Sequence, residues 1–441
     1  MGASSPRSSL GRNRRGQWHH HGDENHFEPD DEVSSSGMGA GHSHNHEDLD
    51  HVEVGARART VLVVFLAVIG VLAVAGMIWL WPSGKELSTH IDRIPDAPNF
   101  SYQQGRITEV VEGCGNTNPS RVTCATATVE LTSGPEAGQQ VSVQLEGPPA
   151  QAGLRAGDDI TVGRIAAEAG PLYHYTDASR LPFIIALAVL FIAVVAAVAR
   201  WKGLFALLGL GFAGAVLIGF MLPALLAGKP GIAVALVGGT AIMFVVLYVA
   251  HGVSIRTSTA LAGTLLGVAI TTGLGALSVE LARLSGFAEE SDFDLASIAT
   301  VLDFRELLMV AIIIGGLGVL NDVTITQSSA VWELRAAAPT MSRRKLFAAG
   351  MRIGRDHIAS TIYTIVFAYA GSTLAVLLML YYSTEPALLL INKEMFSSEI
   401  VRTLGSAIGL ILSVPITTGI AALTVAGPKP DEEPAKHAAP A

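Results

Sequence analysis

The sequence predicts an all-α polytopic membrane protein of about eight transmembrane helices with one small extracytoplasmic all-β domain. Three observations predict it. Half of the 441 residues are hydrophobic and only 15% are charged, against about 25% charged in ordinary soluble domains. The charge is segregated into the first 59 residues and a few short loops. Between those loops run stretches of about 20 apolar residues, the length that crosses a bilayer core.

Residues 1–59 contain no apolar run and are rich in Ser, Gly, His, Asp and Glu. Such a composition cannot bury enough surface to fold, so a disordered cytoplasmic tail is expected. The first apolar stretch begins only at Thr60, which argues against a cleaved signal peptide. The first span is read over 60–80, with Arg57 and Arg59 before it and Trp79, Trp81 and Pro82 at its end. Basic residues before a span and Trp beyond it fit a cytoplasmic start and an outer interface.

Residues 82–180 are polar and alternate with a strand period over Gly105–Glu112, Val122–Leu131, Gln139–Leu145 and Asp159–Ile165. Gly134-Pro135 and Gly147-Pro148 mark turns. A small barrel or sandwich closes such strands, the OB type among the candidates. No basic stripe with interleaved aromatics is present, and the net charge is −9, so nucleic acid is not an expected partner. Cys114 and Cys124 both lie in this region. They form a candidate disulfide if it is extracytoplasmic, and two free thiols otherwise.

Seven further apolar runs lie near 182–199, 204–222, 231–250, 259–279, 306–326, 359–381 and 402–426, the membrane domain thus spanning 181–426, before a short tail at 427–441. The loops then assigned to the inside, 200–203, 251–258 and 327–358, carry Arg200, Lys202, Arg256, Arg335, Arg343, Arg344, Lys345, Arg352 and Arg355. Those assigned to the outside carry Lys229, Arg283, Arg305 and Lys393. The asymmetry puts both termini in the cytoplasm, in a cell membrane.

An ionisable residue at bilayer depth costs about 2.5–3.5 kcal/mol on insertion scales and so calls for a partner or a function. Asp322 is the foremost case, with Asn321, Thr324, Thr326 and Gln327 adding oxygens nearby. It is either a cation or proton site or a helix end emerging at the inner interface. Gly354-Arg-Asp-His357 opens the seventh span. Asp356 there reads as a favourable charge at a helix N-terminus, or else Arg355, Asp356 or His357 pairs with Asp322. Thr361, Thr364, Ala368, Gly371 and Ser372 form a small polar stripe, and Gly263 and Gly267 a GxxxG pair, both marks of close helix packing, with a solute path along the stripe as the other reading. Thr271 and Thr272 are expected to bond back to their own helix, and Pro223 and Pro415 to kink or terminate theirs.

His42, His44 and His46, interleaved with carboxylates, could chelate a divalent transition metal loosely. The alternative is a solvated, charge-mixed tail. No other cofactor is expected. No HExxH, GxSxG or GxxxxGK[ST] motif occurs, and no nucleophile–base pair is evident, so an enzyme is not expected.

Taken in order, Asp177-Ala-Ser-Arg180, Trp201-Lys-Gly203, Gly315-Gly-Leu-Gly-Val-Leu-Asn-Asp322, Glu333-Leu334, Leu346-Phe347, Gly350-Met351, Ile353-Gly-Arg-Asp-His357 and Ala368-Tyr-Ala-Gly371 resemble the YibE/F-like proteins of bacteria, over residues 105–425. The His-rich tail lies outside the resemblance. The family is of unassigned function and often described as permeases, so the resemblance implies no substrate and no catalytic residue. The expectation is a secondary transporter or permease for an ion or small solute. The rival is a non-transporting membrane assembly or envelope factor whose outer β domain recruits a protein partner. Partners are then the lipid bilayer, a small solute or ion, and a second copy or an envelope protein.

Overall fold

The computed structural model describes residues 52–84, 86, 99–113, 123–167 and 170–428. The elements in chain order are α1 (Ala56–Leu80), β1 (Phe100–Glu112), β2 (Cys124–Leu131), β3 (Gln140–Glu146), α2 (Pro148–Gln151), β4 (Asp159–Ala167), β5 (Gly170–Ala178), α3 (Leu181–Val216), a π-helical turn Leu217–Met221, and α4 (Leu222–Leu226). Then follow α5 (Gly231–His251), α6 (Ile255–Leu281), α7 (Glu290–Ile298), α8 (Phe304–Ala337), α9 (Arg343–Ser372), α10 (Leu374–Tyr382), α11 (Ala387–Ile391) and α12 (Glu394–Thr424).

The five strands form one antiparallel sheet in the order β3-β2-β1-β4-β5. The first half of β1 pairs with β4 (Phe100 with Ile165) and the second half with β2 (Glu112 with Ala125). One long strand thereby serves two neighbours. Register shifts at Ile107/Glu109 and Thr161/Val162 bend the sheet, as bulges do, and it curls barrel-like around Ile107, Ala127, Val129, Leu131, Val143, Leu145, Ile160 and Val162. Gln103 is buried beside them and donates through Nε2 to the Glu136 carboxylate at 3.2 Å. Arg164 also binds Glu136, through Nε at 3.0 Å. The strand β5 is absent from the sequence expectation. Its Tyr-His-Tyr-Thr pattern shows strand-forming residues but little apolar alternation, because Tyr173 and Tyr175 are only half-buried against the barrel core.

Among the described residues, six helices are long and apolar enough to cross a membrane: Ala56–Leu80, Leu181–Leu226, Gly231–His251, Ile255–Leu281, Phe304–Ala337 and Glu394–Thr424. The pair α9 and α10, bent by 71°, makes a seventh if it counts as one span. The sequence separates 182–199 from 204–222, whereas here they share one helical run, interrupted at Arg200 (φ 51°, ψ −138°). That left-handed φ is costly for a non-glycine residue and redirects the chain. A Cβ on Gly203 would lie 2.7 Å from Val195 Cγ1 and 2.9 Å from the Val195 carbonyl oxygen, whereas a straight helix would separate the two residues by about 12 Å. The second half of α3 then runs antiparallel to α5, with Gly209 against Val246 and Met221 against Gly238.

Three corrections concern helix ends. The expected loop 327–358 is mostly helix, since α8 continues to Ala337 and α9 begins at Arg343. Hydropathy marks where lipid ends, but Ala, Arg, Glu and Leu sustain a helix beyond it. Arg335 closes the remaining turn, donating from Nη1 to the carbonyls of Pro339 (2.9 Å) and Met341 (2.8 Å). Asp356 consequently lies inside α9, whose N-cap is Ser342, accepting from the Lys345 amide. The N-terminal reading of Asp356 is therefore overturned. The span 359–381 breaks at Thr373, where the Ser372 and Thr373 hydroxyls donate to the Tyr369 carbonyl and compete with the helix ladder.

The core is a trio, α6, α8 and α12, packed through small residues. A Cβ on Gly267 would meet Leu320 at 2.8 Å and Ser413 at 3.1 Å, and one on Gly263 would overlap the Thr417 hydroxyl. Thr271 and Thr272 bond back to Gly267 and Val268 of their own helix, as expected. The two ends of the bundle chain are clasped together. Val54 and Val425 form an antiparallel bridge, Gly55 N–H donates to the Thr424 carbonyl (3.0 Å) and Ala426 N–H to that of Glu53 (2.7 Å). Val52 packs with Val331, Trp332, Leu346 and Ala421 beneath the clasp. At the opposite end, Trp81 stacks on Phe220 at 5.7 Å. There Lys229 Nζ binds Glu86 at 2.8 Å, and this bond holds the Glu86 carboxyl down at about 2.

Candidate functional site

Asp322 of α8 lies about 27 Å along the axis from Phe304, toward the clasp end, at 1.5 Å per residue. His357 of α9 faces it. The His357 Nε2 and Asp322 Oδ2 atoms are 3.8 Å apart, within ion-pair reach and beyond a direct hydrogen bond. The two differ in exposure: the Asp322 side chain is 71% exposed and that of His357 30%. His357 Nε2 and the neighbouring Asn321 Oδ1 are both buried without a hydrogen-bond partner among the described residues. Thr361 donates to the His357 backbone carbonyl at 2.9 Å, not to the imidazole. The result is an open carboxylate beside two unsatisfied polar atoms, able to exchange a proton or hold a small cation between them.

The other expected residues divide. Thr324 turns away from Asp322 into the trio, where its hydroxyl lies 2.6 Å from that of Thr264. Arg355 and Asp356 are exposed on α9, and the ion-pair contact of Asp322 goes to His357. Gln327 is structural, since its buried Nε2 donates to the Gly350 carbonyl (2.7 Å) and to Thr418 Oγ1 (2.8 Å).

Sequence reasoning missed a buried polar seam behind the pair. Ser406, Ser413 and Thr417 of α12 face Thr264, Thr271 and Thr324 across the trio, all of them buried. Ser406 Oγ and Thr417 Oγ1 have no partner among the described residues. Their spacing of seven and four was the available signal. Also missed was the Glu399–Arg402 ion pair within α12, both about a quarter exposed.

A family model described as YibE/F-like protein matches residues 187–427, more than half of the chain. The chain belongs to the YibE/F-like family. In this YibE/F-like protein the matched region starts inside α3 and ends just beyond the clasp. It therefore takes in Asp322, His357 and the polar seam and leaves out α1 and the β domain. No curated protein and no solved structure matches. The family match and the apolar helices together fit a membrane protein, and the match assigns no activity.

Cys124 opens β2 and is disulfide-bonded, while Cys114 lies outside the described residues. So do His42, His44 and His46.

Proposed function

We propose that this YibE/F-like protein is a secondary transporter or channel-like permease for an ion or small solute, with Asp322 and His357 as its exchange site. The observation that carries the reading is the facing of the two side chains at 3.8 Å beside a buried, unpartnered His357 Nε2 and Asn321 Oδ1. Unsatisfied polar atoms at membrane depth are expensive, and sites of ion passage are where they are tolerated.

The accompanying topology is eight crossings with both ends in the cytoplasm. The clasp supports an even number, because Val54 and Val425 share one end of the bundle. A continuous helix over Leu181–Leu226 would be about 69 Å long, more than twice the hydrocarbon core, and Arg200 offers the turn between two spans. With α9 and α10 as one bent span, the total is eight. The basic residues Arg57, Arg59, Arg343, Arg344 and Lys345 cluster at the clasp end, which favours that end as cytoplasmic. The β domain then lies outside. Its strand order, with a short helix between β3 and β4, favours an OB-type barrel.

Reconstitution into vesicles tests the reading. The parent is expected to pass at least one of a panel that includes protons and monovalent and divalent cations, and Asp322→Asn to lower that flux at least tenfold. Equal flux in both would remove Asp322 from the mechanism.

A second reading, an assembly factor that recruits an envelope protein, is favoured by one observation. Tyr102, Ile165 and Leu172 lie exposed on adjoining strands of the β domain. Specific capture of a partner by this face, with no flux for any solute, would support it.

A further inference from the structure

The break between α9 and α10 opens a cavity of about 460 Å³ against the first turns of α12. Its walls are apolar, with Val376, Leu377 and Ile400 among them, and the rings of Tyr369 and Phe396 line it. A volume of this size takes a small organic molecule. Two carboxylates also reach it, Glu399 from α12 and Glu289 from the rim, while no Lys, Arg or His lines it among the described residues. Arg402 pairs with Glu399 from one turn along α12. Glu289 also caps α7, accepting from the Asp292 amide, and the formal count of two carboxylates against one guanidinium is −1. Aromatic faces attract cations, and most strongly where water is excluded. An inorganic cation would find too few oxygens here, and an anion would meet carboxylates. A neutral acyl chain would use the walls but leave the charge unanswered.

We propose that this cavity binds a monovalent organic cation carrying apolar substituents, with Glu399 and Glu289 together as its counter-charge and the Tyr369 and Phe396 rings as its aromatic walls. The site lies well away from Asp322, on the far side of the α9 helix length, and its occupation does not depend on transport.

Equilibrium binding to the full-length protein in lipid nanodiscs tests this, with empty nanodiscs to subtract partition into lipid. Two probes of nearly the same shape and opposite charge are compared, tetraphenylphosphonium and tetraphenylborate. The phosphonium is expected to bind saturably, one per chain, and the borate to show no saturable component. Glu399→Gln is expected to weaken phosphonium binding at least tenfold. Because that change strands Arg402, Ala370→Trp serves as a second variant: it fills the cavity, leaves the ion pair in place, and is expected to abolish binding. Asp322→Asn is expected to bind as the parent does, whatever its flux. Saturable binding of both probes alike, phosphonium binding that survives Ala370→Trp, or no binding beyond the empty nanodiscs would overturn the assignment.

Discussion

Val54 and Val425 pair across an antiparallel bridge, so the chain leaves the helical bundle at the end where it entered. The flanking bonds, Gly55 N–H to Thr424 O and Ala426 N–H to Glu53 O, make this a two-sided clasp. Replacing both valines with cysteine is expected to give an intramolecular disulfide under mild oxidation, since bridged residues have Cα atoms about 4.5–5.5 Å apart. After cleavage at a protease site inserted at the exposed Gly134, the two pieces are expected to stay joined on a non-reducing gel. Separation would show that the clasp does not form.

Asp322 and His357 are expected to act as one unit. If so, the double variant Asp322→Asn/His357→Gln loses no more flux than the worse single variant, because groups that serve one step are strongly non-additive. Losses that multiply would mean the residues act separately.

Close approach within the trio is tested by a pair of glycines on α12. A Cβ at Gly409 would overlap the Thr271 hydroxyl, while nothing lies within 4 Å of one at Gly405. Gly409→Ala is expected to destabilise the protein by about 1–3 kcal/mol through overpacking. Gly405→Ala is expected to be neutral or to stabilise by up to about 1 kcal/mol, from helix propensity. Thermal unfolding in detergent reads both.

Gln327 gives a polar counterpart. Gln327→Leu removes both donors to Gly350 O and Thr418 Oγ1. A loss of about 1–3 kcal/mol is expected from the acceptors left buried, again by thermal unfolding.

The β domain should respond to acid through Glu136. Its hydrogen bond with Arg164 holds the carboxyl below the ordinary 4.5. A depressed carboxylate contributes stability that is fully present above 4.5 and lost as pH falls through the lower folded value. Proteolytic resistance of residues 99–178 is therefore expected to fall below pH 4.5 in the parent. Glu136→Gln is expected to be less resistant at neutral pH and to show a smaller acid loss. Parallel acid curves would contradict this.

What the sequence disclosed follows from which physical signals are local. Apolar runs and four of the five strands were legible because burial period is written in adjacent residues. That one of Arg355, Asp356 and His357 approaches Asp322 was one of two readings the sequence left open, because consecutive antiparallel helices bring their near ends together; which of the three does so was not legible. Three features were not legible. The Arg200 reversal depends on one residue's dihedral angle. The helical extensions past Gln327 and before Ile358 follow backbone hydrogen bonding, which hydropathy does not report. The polar seam joins helices far apart in sequence, so the partner of Ser413 or Thr417 could not be read from its own neighbourhood. The separation of Thr324 from Asp322, by contrast, was readable, since positions two apart on a helix face opposite ways.

The threading of α3 bears most directly on the whole arrangement. With Cys114 and Cys124 replaced, a single cysteine is introduced at Lys202, at Met341 or at Gly134, and an impermeant thiol reagent is applied to intact cells and to inverted vesicles. Lys202→Cys and Met341→Cys are expected to react only in inverted vesicles and Gly134→Cys only in intact cells. Labelling of Lys202→Cys in intact cells would mean that α3 does not turn back at the cytoplasmic face, and the eight-crossing arrangement would be wrong.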